Sequence, residues 1–195
     1  MVDPAVLIAA WPLPARAELA EQLLGRWREP HRHYHGVQHL AECLAAADEL
    51  GAGVAERLAL WFHDAVHTNT RGSDEAASAA LAALLLADHL PAVVVDEVTR
   101  LILLTIHHQP LAGDRPGAIV CDADLWVLGA APRRYQQSVR QLRAEFGSSA
   151  ERWTKLRRDQ LRERLAGPIF HGPNQAAREA RARDNLQIEL SAMEG

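Results

Sequence analysis

The tightest constraint in this sequence is the adjacent pair His63-Asp64, set in Leu58-Ala-Leu-Trp-Phe-His-Asp-Ala-Val-His67. The segment is otherwise apolar and reads as a buried helix, and a carboxylate inside it needs a partner, because burying it alone costs several kcal/mol. An imidazole next to a carboxylate suits a metal site, so the fold has to bring further ligands to this point from elsewhere in the chain.

The remaining residues favour helices. Ala, Leu and Arg dominate, aromatics make up 5% of the 195 residues, and the one β-branched run is Val93-Val-Val95. Helix formers without strand signals predict an all-α helical bundle. Nearly half the chain is apolar, enough for one substantial core, and a single domain over residues 1–195 is expected, its centre at about 30–130 with the helices of 131–195 packed on it.

Helices are expected from Pro4, over about 14–28, from near Gly36 to Leu50, over 54–67, over 74–90 with Ser73 as cap, and from Pro91 to His107-His108. They continue over 119–129, 132–146 and 149–165, with a final Arg-rich helix after the Gly167–Pro173 turn. Residues 31–39, with four histidines, read as an irregular lead-in, and 109–117 as a loop.

Cys43 and Cys121 lie far apart without CxxC spacing, which argues against a disulfide framework or a thiolate zinc site and suits a reducing, cytoplasmic setting. No basic leader or membrane-length apolar run is seen, so no membrane partner is expected. Charge is uneven: residues 1–129 hold 8 basic and 17 acidic side chains, a balance of −9, and residues 130–195 hold 13 and 8, a balance of +5. The basic residues alternate with acids at helical spacing, the pattern of a solvated face, so nucleic acid is not the expected partner. A homo-oligomer is compatible with the composition.

Three anomalies stand out together: His35 and His39 four residues apart, His63-Asp64, and Asp122 with Asp124 in a short apolar segment. At a helical spacing the first pair shares one face. Candidates near them are Arg32 for a phosphate, His67, His107 and His108 for a phosphate or a second metal, and the helix-start acids Asp74 and Glu75. Cys43 and Trp61 read as core.

Tyr34-His35-Gly36-Val-Gln-His39, His63-Asp64 and Asp122-Ala-Asp124-Leu125 together resemble the H…HD…D signature of the HD-domain metal-dependent phosphohydrolase superfamily. Glu29-Pro-His-Arg-His-Tyr-His35 and Ala180-Arg-Ala-Arg-Asp-Asn-Leu-Gln-Ile-Glu-Leu190 are similar to a small bacterial subfamily of it, so the resemblance spans most of the chain. It implies a phosphodiesterase-like helical fold and four metal ligands, His39, His63, Asp64 and Asp124, with Asp122 the rival for the fourth place. Two imidazoles and two carboxylates suit Mn²⁺, Fe²⁺, Co²⁺, Ni²⁺ or Mg²⁺.

The implied activity is hydrolysis of a phosphoester or phosphoanhydride of a small, nucleotide-like substrate by metal-activated water. His35 stands where the superfamily's cyclic-nucleotide phosphodiesterases carry the leaving-group acid, although Gly36 stands where they carry Asn. Asp64 is then both ligand and catalytic residue, Glu75 a candidate base, and Arg32 and His108 candidate substrate contacts. The alternatives are a di-iron oxygenase, from the histidine excess, and a metal-stabilised binding or regulatory protein, from the charge asymmetry.

Overall fold

The computed structural model describes residues 2–194 and is built from helices alone among them. They are α1 (Pro4–Ala9), α2 (Ala17–Trp27), α3 (Val37–Leu50), α4 (Val54–Phe62), α5 (Ser73–Leu86), α6 (Ala92–Leu104), α7 (Arg115–Asp124), α8 (Pro132–Phe146), α9 (Ala150–Leu165) and α10 (Ala176–Ala192), with 3₁₀ turns at Pro14–Arg16 and Leu125–Gly129. The all-α expectation holds. No helix among them is long and apolar enough to cross a membrane.

Helix α4 lies at the centre, against α3, α6 and α7, and Leu58, Ala59, Leu60, Trp61 and Phe62 are all fully buried. That explains why the run Leu58–Phe62 is apolar on every side. Each large side chain buried there contributes on the order of 1.5–3 kcal/mol. A second apolar cluster forms from Tyr135, Leu161, Ile169, Phe170, Ala182 and Leu186 of the C-terminal helices. Trp126, in the 3₁₀ turn after α7, packs against both clusters and joins them.

Several basic side chains of the C-terminal part are used inside the molecule. Arg134 pairs with Glu42, Arg157 with Glu189 and Arg183 with Glu179, while the Arg178 guanidinium lies 3.2 Å over the Trp126 ring.

Several boundaries differ from the sequence expectation, each for a local reason. Helix α4 stops at Phe62 rather than His67. The His63 Nδ1–H donates to the Leu60 carbonyl (2.9 Å), which a continuing helix would offer to the Asp64 amide, and Arg32 donates to the carbonyls of Asp64 (2.6 Å) and Ala65 (3.3 Å). Helix α6 ends at Leu104, short of His107-His108.

Helix α5 is not capped by Ser73; Glu75 accepts from the Gly72 amide, and Asp74 reaches back to the amides of Thr68 (2.7 Å) and Thr70 (2.9 Å). Helix α7 begins at Arg115, not Ile119. Pro116 falls in its first turn, where no amide donor is needed, and Asp114 accepts from Gly117 N (3.0 Å).

Asp114 also takes both Arg100 amino groups (2.7 and 3.1 Å), tying α6 to the start of α7. The Arg100 bond holds its carboxyl below the ordinary range. A carboxyl lowered in the folded state stabilises the fold above the unfolded value of about 3.9 and loses that contribution as pH falls through the lowered value. Asp114→Ala is expected to cost about 1 kcal/mol in chemical denaturation at pH 7. The gap to the wild type should close below about pH 4, the ordinary Asp range.

Candidate metal centre

The early end of α4 places His63 and Asp64 at a turn rather than inside a helix. His39, in the first turn of α3, and Asp124, the last residue of α7, approach the same point. His39 Nε2 lies 3.0 Å from Asp124 Oδ1, 3.3 Å from His63 Nε2 and 3.6 Å from Asp64 Oδ2. His63 Nε2 lies 3.0 Å from Asp64 Oδ2 and 3.4 Å from Asp124 Oδ1. Donor atoms sharing one ion at about 2.0–2.2 Å stand roughly 3 Å apart, so this spacing matches a common coordination shell.

The hydrogen bonds leave these atoms facing inward. His63 uses Nδ1–H on Leu60 O, so in the neutral ring Nε2 is a bare lone pair, directed at two carboxylates and a second imidazole. Asp64 Oδ2 is buried and has no hydrogen-bond partner. Converging lone pairs repel unless a proton or a cation lies among them, and an orphaned buried oxygen is otherwise rare.

The charges agree with the geometry. Burial works against the charged forms of all three groups, yet Asp64 and Asp124 outweigh it at His63 and raise that imidazole well above its usual value. His63 and His35 hold Asp64 well below the usual carboxylate range, and His63, with hydrogen bonds from His108 and His39, does the same for Asp124. Two carboxylates held in their ionised form beside two imidazoles supply the charge and lone pairs a divalent cation binds, and cation binding displaces protons from such ligands. The residues present therefore fit a metal ion of the N/O type.

The sulfur of Cys43 offers a further ligand atom, grouped with those of His39, His63 and Asp124 and 3.6 Å from both His39 ring nitrogens. Burial, reinforced by Asp124 and Asp64, pushes this thiol well up. Trp27 and Tyr34 close the wall behind the imidazoles, with ring centroids 5.5 Å from His63 and 4.8 Å from His39 respectively.

Asp124 and Asp122 point to different partners. Asp124 Oδ1 faces the imidazoles, while Asp122 accepts from the His171 (2.7 Å) and Gly172 (2.8 Å) amides and fixes the turn before α10. Two residues along a helix turn the side chain about 200°, which separates the two roles.

Both proposed substrate contacts are occupied inside the protein. The Arg32 side chain has no exposed surface and donates to Glu29, His35 O, Asp64 O and Ala65 O. It locks the turn and does not face a ligand. His108 is likewise buried, with Nε2–H donating to Asp124 Oδ2 (2.7 Å) and Nδ1 accepting from Arg164 (2.8 Å). Glu75 is held at the start of α5 and makes no hydrogen bond or ion pair with the cluster.

His35 and His67 meet at a residue the sequence did not single out. Glu145, near the end of α8, is 1% exposed at its side chain. Its Oε2 accepts from the amides of His33 (2.8 Å), Tyr34 (2.9 Å) and His35 (3.0 Å), and its Oε1 from His35 Nδ1 and His67 Nε2 (3.0 Å). These three side chains also offer ligand atoms close enough for an ion. Here, however, every acceptor is satisfied by N–H donors, unlike the orphan at Asp64. His107 belongs to neither group.

A cavity of about 570 Å³ lies at the start of α7, lined by Glu49, Pro110, Asp114, Asp122 and His171 among others. It includes none of the four converging residues. The site instead meets solvent through the half-buried side chains of His35, Asp64 and Asp124.

No family model matches this chain, and no curated protein or solved structure does.

Glu145→Ala leaves three consecutive amides without their acceptor, each costing on the order of 1–3 kcal/mol if it stays buried. An urea-unfolding loss of roughly 3 kcal/mol or more is expected, with Glu145→Gln, which keeps one oxygen for the amides, losing less.

Proposed function

We propose that this chain is an HD-type phosphohydrolase that uses a divalent cation to cleave a phosphoester or phosphoanhydride of a small, nucleotide-like substrate. The observation that carries the reading is the inward convergence of His39, His63, Asp64 and Asp124 around an orphaned buried carboxylate oxygen. It is supported by the H…HD…D order of the same residues in the sequence.

A bound divalent cation supplies Lewis acidity, neutralising phosphoryl charge and acidifying a water. The protein's own residues do the rest. His39, His63, Asp64 and Asp124 hold the ion, and Trp27 and Tyr34 keep the back of the site dry. His35 gives Nδ1 to Glu145, which leaves Nε2 as the ring atom able to pass a proton to a departing oxygen. Burial lowers the His35 imidazole, and Asp64 and Glu145 outweigh it and raise it.

A two-metal reading, the di-iron oxygenase included, draws support from the His35, His67 and Glu145 group. The saturation of both Glu145 oxygens by five N–H donors weighs against it. The binding-protein reading is weakened where Arg134, Arg157 and Arg183 are paired internally.

The test is hydrolysis of a nucleotide and phosphoester panel by purified protein with Mn²⁺. Activity should require the cation and fall at least about 100-fold in His63→Ala and in Asp64→Ala. His35→Ala should lose about 100- to 10,000-fold on alkoxide leaving groups and much less on p-nitrophenolate, which needs no proton. Activity unchanged in folded His63→Ala and Asp64→Ala proteins contradicts the reading.

A further inference from the structure

Asp124 has two oxygens with different duties. Oδ1 faces His39 and His63, and Oδ2 accepts from His108 Nε2 at 2.7 Å. The other ring nitrogen, Nδ1, lies 2.8 Å from an amino group of Arg164 on α9. A guanidinium only donates, so Nδ1 must be the acceptor, and a neutral His108 ring must then carry its proton on Nε2. The tautomer that can donate to Asp124 is thus set by a residue of a different helix.

The backbone is bent to make this possible. His108 sits at φ +54°, in the left-handed region that non-glycine residues seldom adopt, just past the end of α6. Its carbonyl is pinned by the His171 Nε2–H at 3.0 Å. Arg164 is half-buried and, among the described residues, makes no ion pair with a carboxylate: the ion pairs of the neighbouring α9 arginines go to Glu189 and Glu194. A half-buried arginine placed on an imidazole rather than on an acid is an unusual use of that side chain.

We propose that Arg164 is a positioning residue for cation binding: by accepting no alternative tautomer of His108, it makes His108 hold Asp124 with Oδ1 turned toward His39, His63 and Asp64. The claim rests on the cation-site reading of those four residues and is independent of which reaction they serve. Outer partners of metal ligands commonly set affinity by 10- to 100-fold, and here that control sits on the C-terminal helices.

The sign of the effect separates this role from simple electrostatics. Removing a positive charge beside a cation site tightens binding if charge alone matters; removing the tautomer control weakens it. Zn²⁺ and Mn²⁺ affinities are measured by competition with a chelating fluorophore, with folding followed by circular dichroism. Arg164→Met is expected to bind about tenfold more weakly, the low end for an outer partner, and Arg164→Lys, which still donates to Nδ1, to recover most of the loss. Gln at position 108 supplies its own N–H to Asp124, so Arg164→Met should have no further effect in a His108→Gln background.

Imidazole ¹⁵N spectra give a readout that does not need the cation. The His108 ring, identified by its loss in His108→Gln, should show Nε2–H in the wild type and in Arg164→Lys, and lose that preference in Arg164→Met. An Nδ1–H ring in the wild type, affinity unchanged or tightened in Arg164→Met, or a loss that persists in His108→Gln overturns the proposal. If Arg164→Met does not fold, the wild-type tautomer and the Arg164→Lys affinity decide it. If the wild type binds neither cation, the metal reading falls, and the ring spectrum alone decides whether the relay exists.

Discussion

The turn that ends α4 is the feature on which the site depends. His63 caps the Leu60 carbonyl with one ring nitrogen and so points the other inward, while Arg32 grips the Asp64 and Ala65 carbonyls and swings the chain away. One set of hydrogen bonds therefore stops the helix, fixes the imidazole tautomer and turns Asp64 toward His39 and Asp124. A buried arginine shapes the site by helping to end the helix.

The second dependence is on the C-terminal helices. They supply none of the four converging side chains, yet Glu145 from α8 fixes the His33–His35 backbone and both the His35 and His67 rings, and Arg164 from α9 reaches Asp124 through His108. Trp126 joins the two apolar clusters across the same boundary. The inward-facing lone pairs are an unfavourable arrangement by themselves, and they are held from two sides by groups whose own hydrogen bonds are complete.

Much of this was legible in the sequence. Helix formers without strand signals gave the all-α class, and the local anomaly of a His-Asp pair in an apolar stretch marked the residues that converge. What the sequence did not reveal is long-range pairing. Arg32 and His108 look like ligand contacts because an arginine or histidine near a site resembles a phosphate binder until its partners are known; here those partners are carbonyls, a carboxylate and another arginine. Glu145 looks like any acid on an amphipathic helix, and nothing in the irregular 31–36 segment marks the amides of His33, Tyr34 and His35 as its partners. The stop of α4 was missed because it depends on Arg32, some thirty residues earlier in the chain. Pro116, by contrast, was a local helix-start signal that a loop reading overlooked.

The central claim is that four side chains converge to hold one divalent cation. A crystal of the protein grown with Mn²⁺ and measured at the manganese absorption edge tests it most directly. One anomalous peak is expected, bonded to His39 Nε2, His63 Nε2, Asp64 Oδ2 and Asp124 Oδ1, with the His63 Nδ1 to Leu60 bond intact. A cluster closed on itself by protons with no peak among these atoms, or a peak bonded instead to His35, His67 and Glu145, contradicts it.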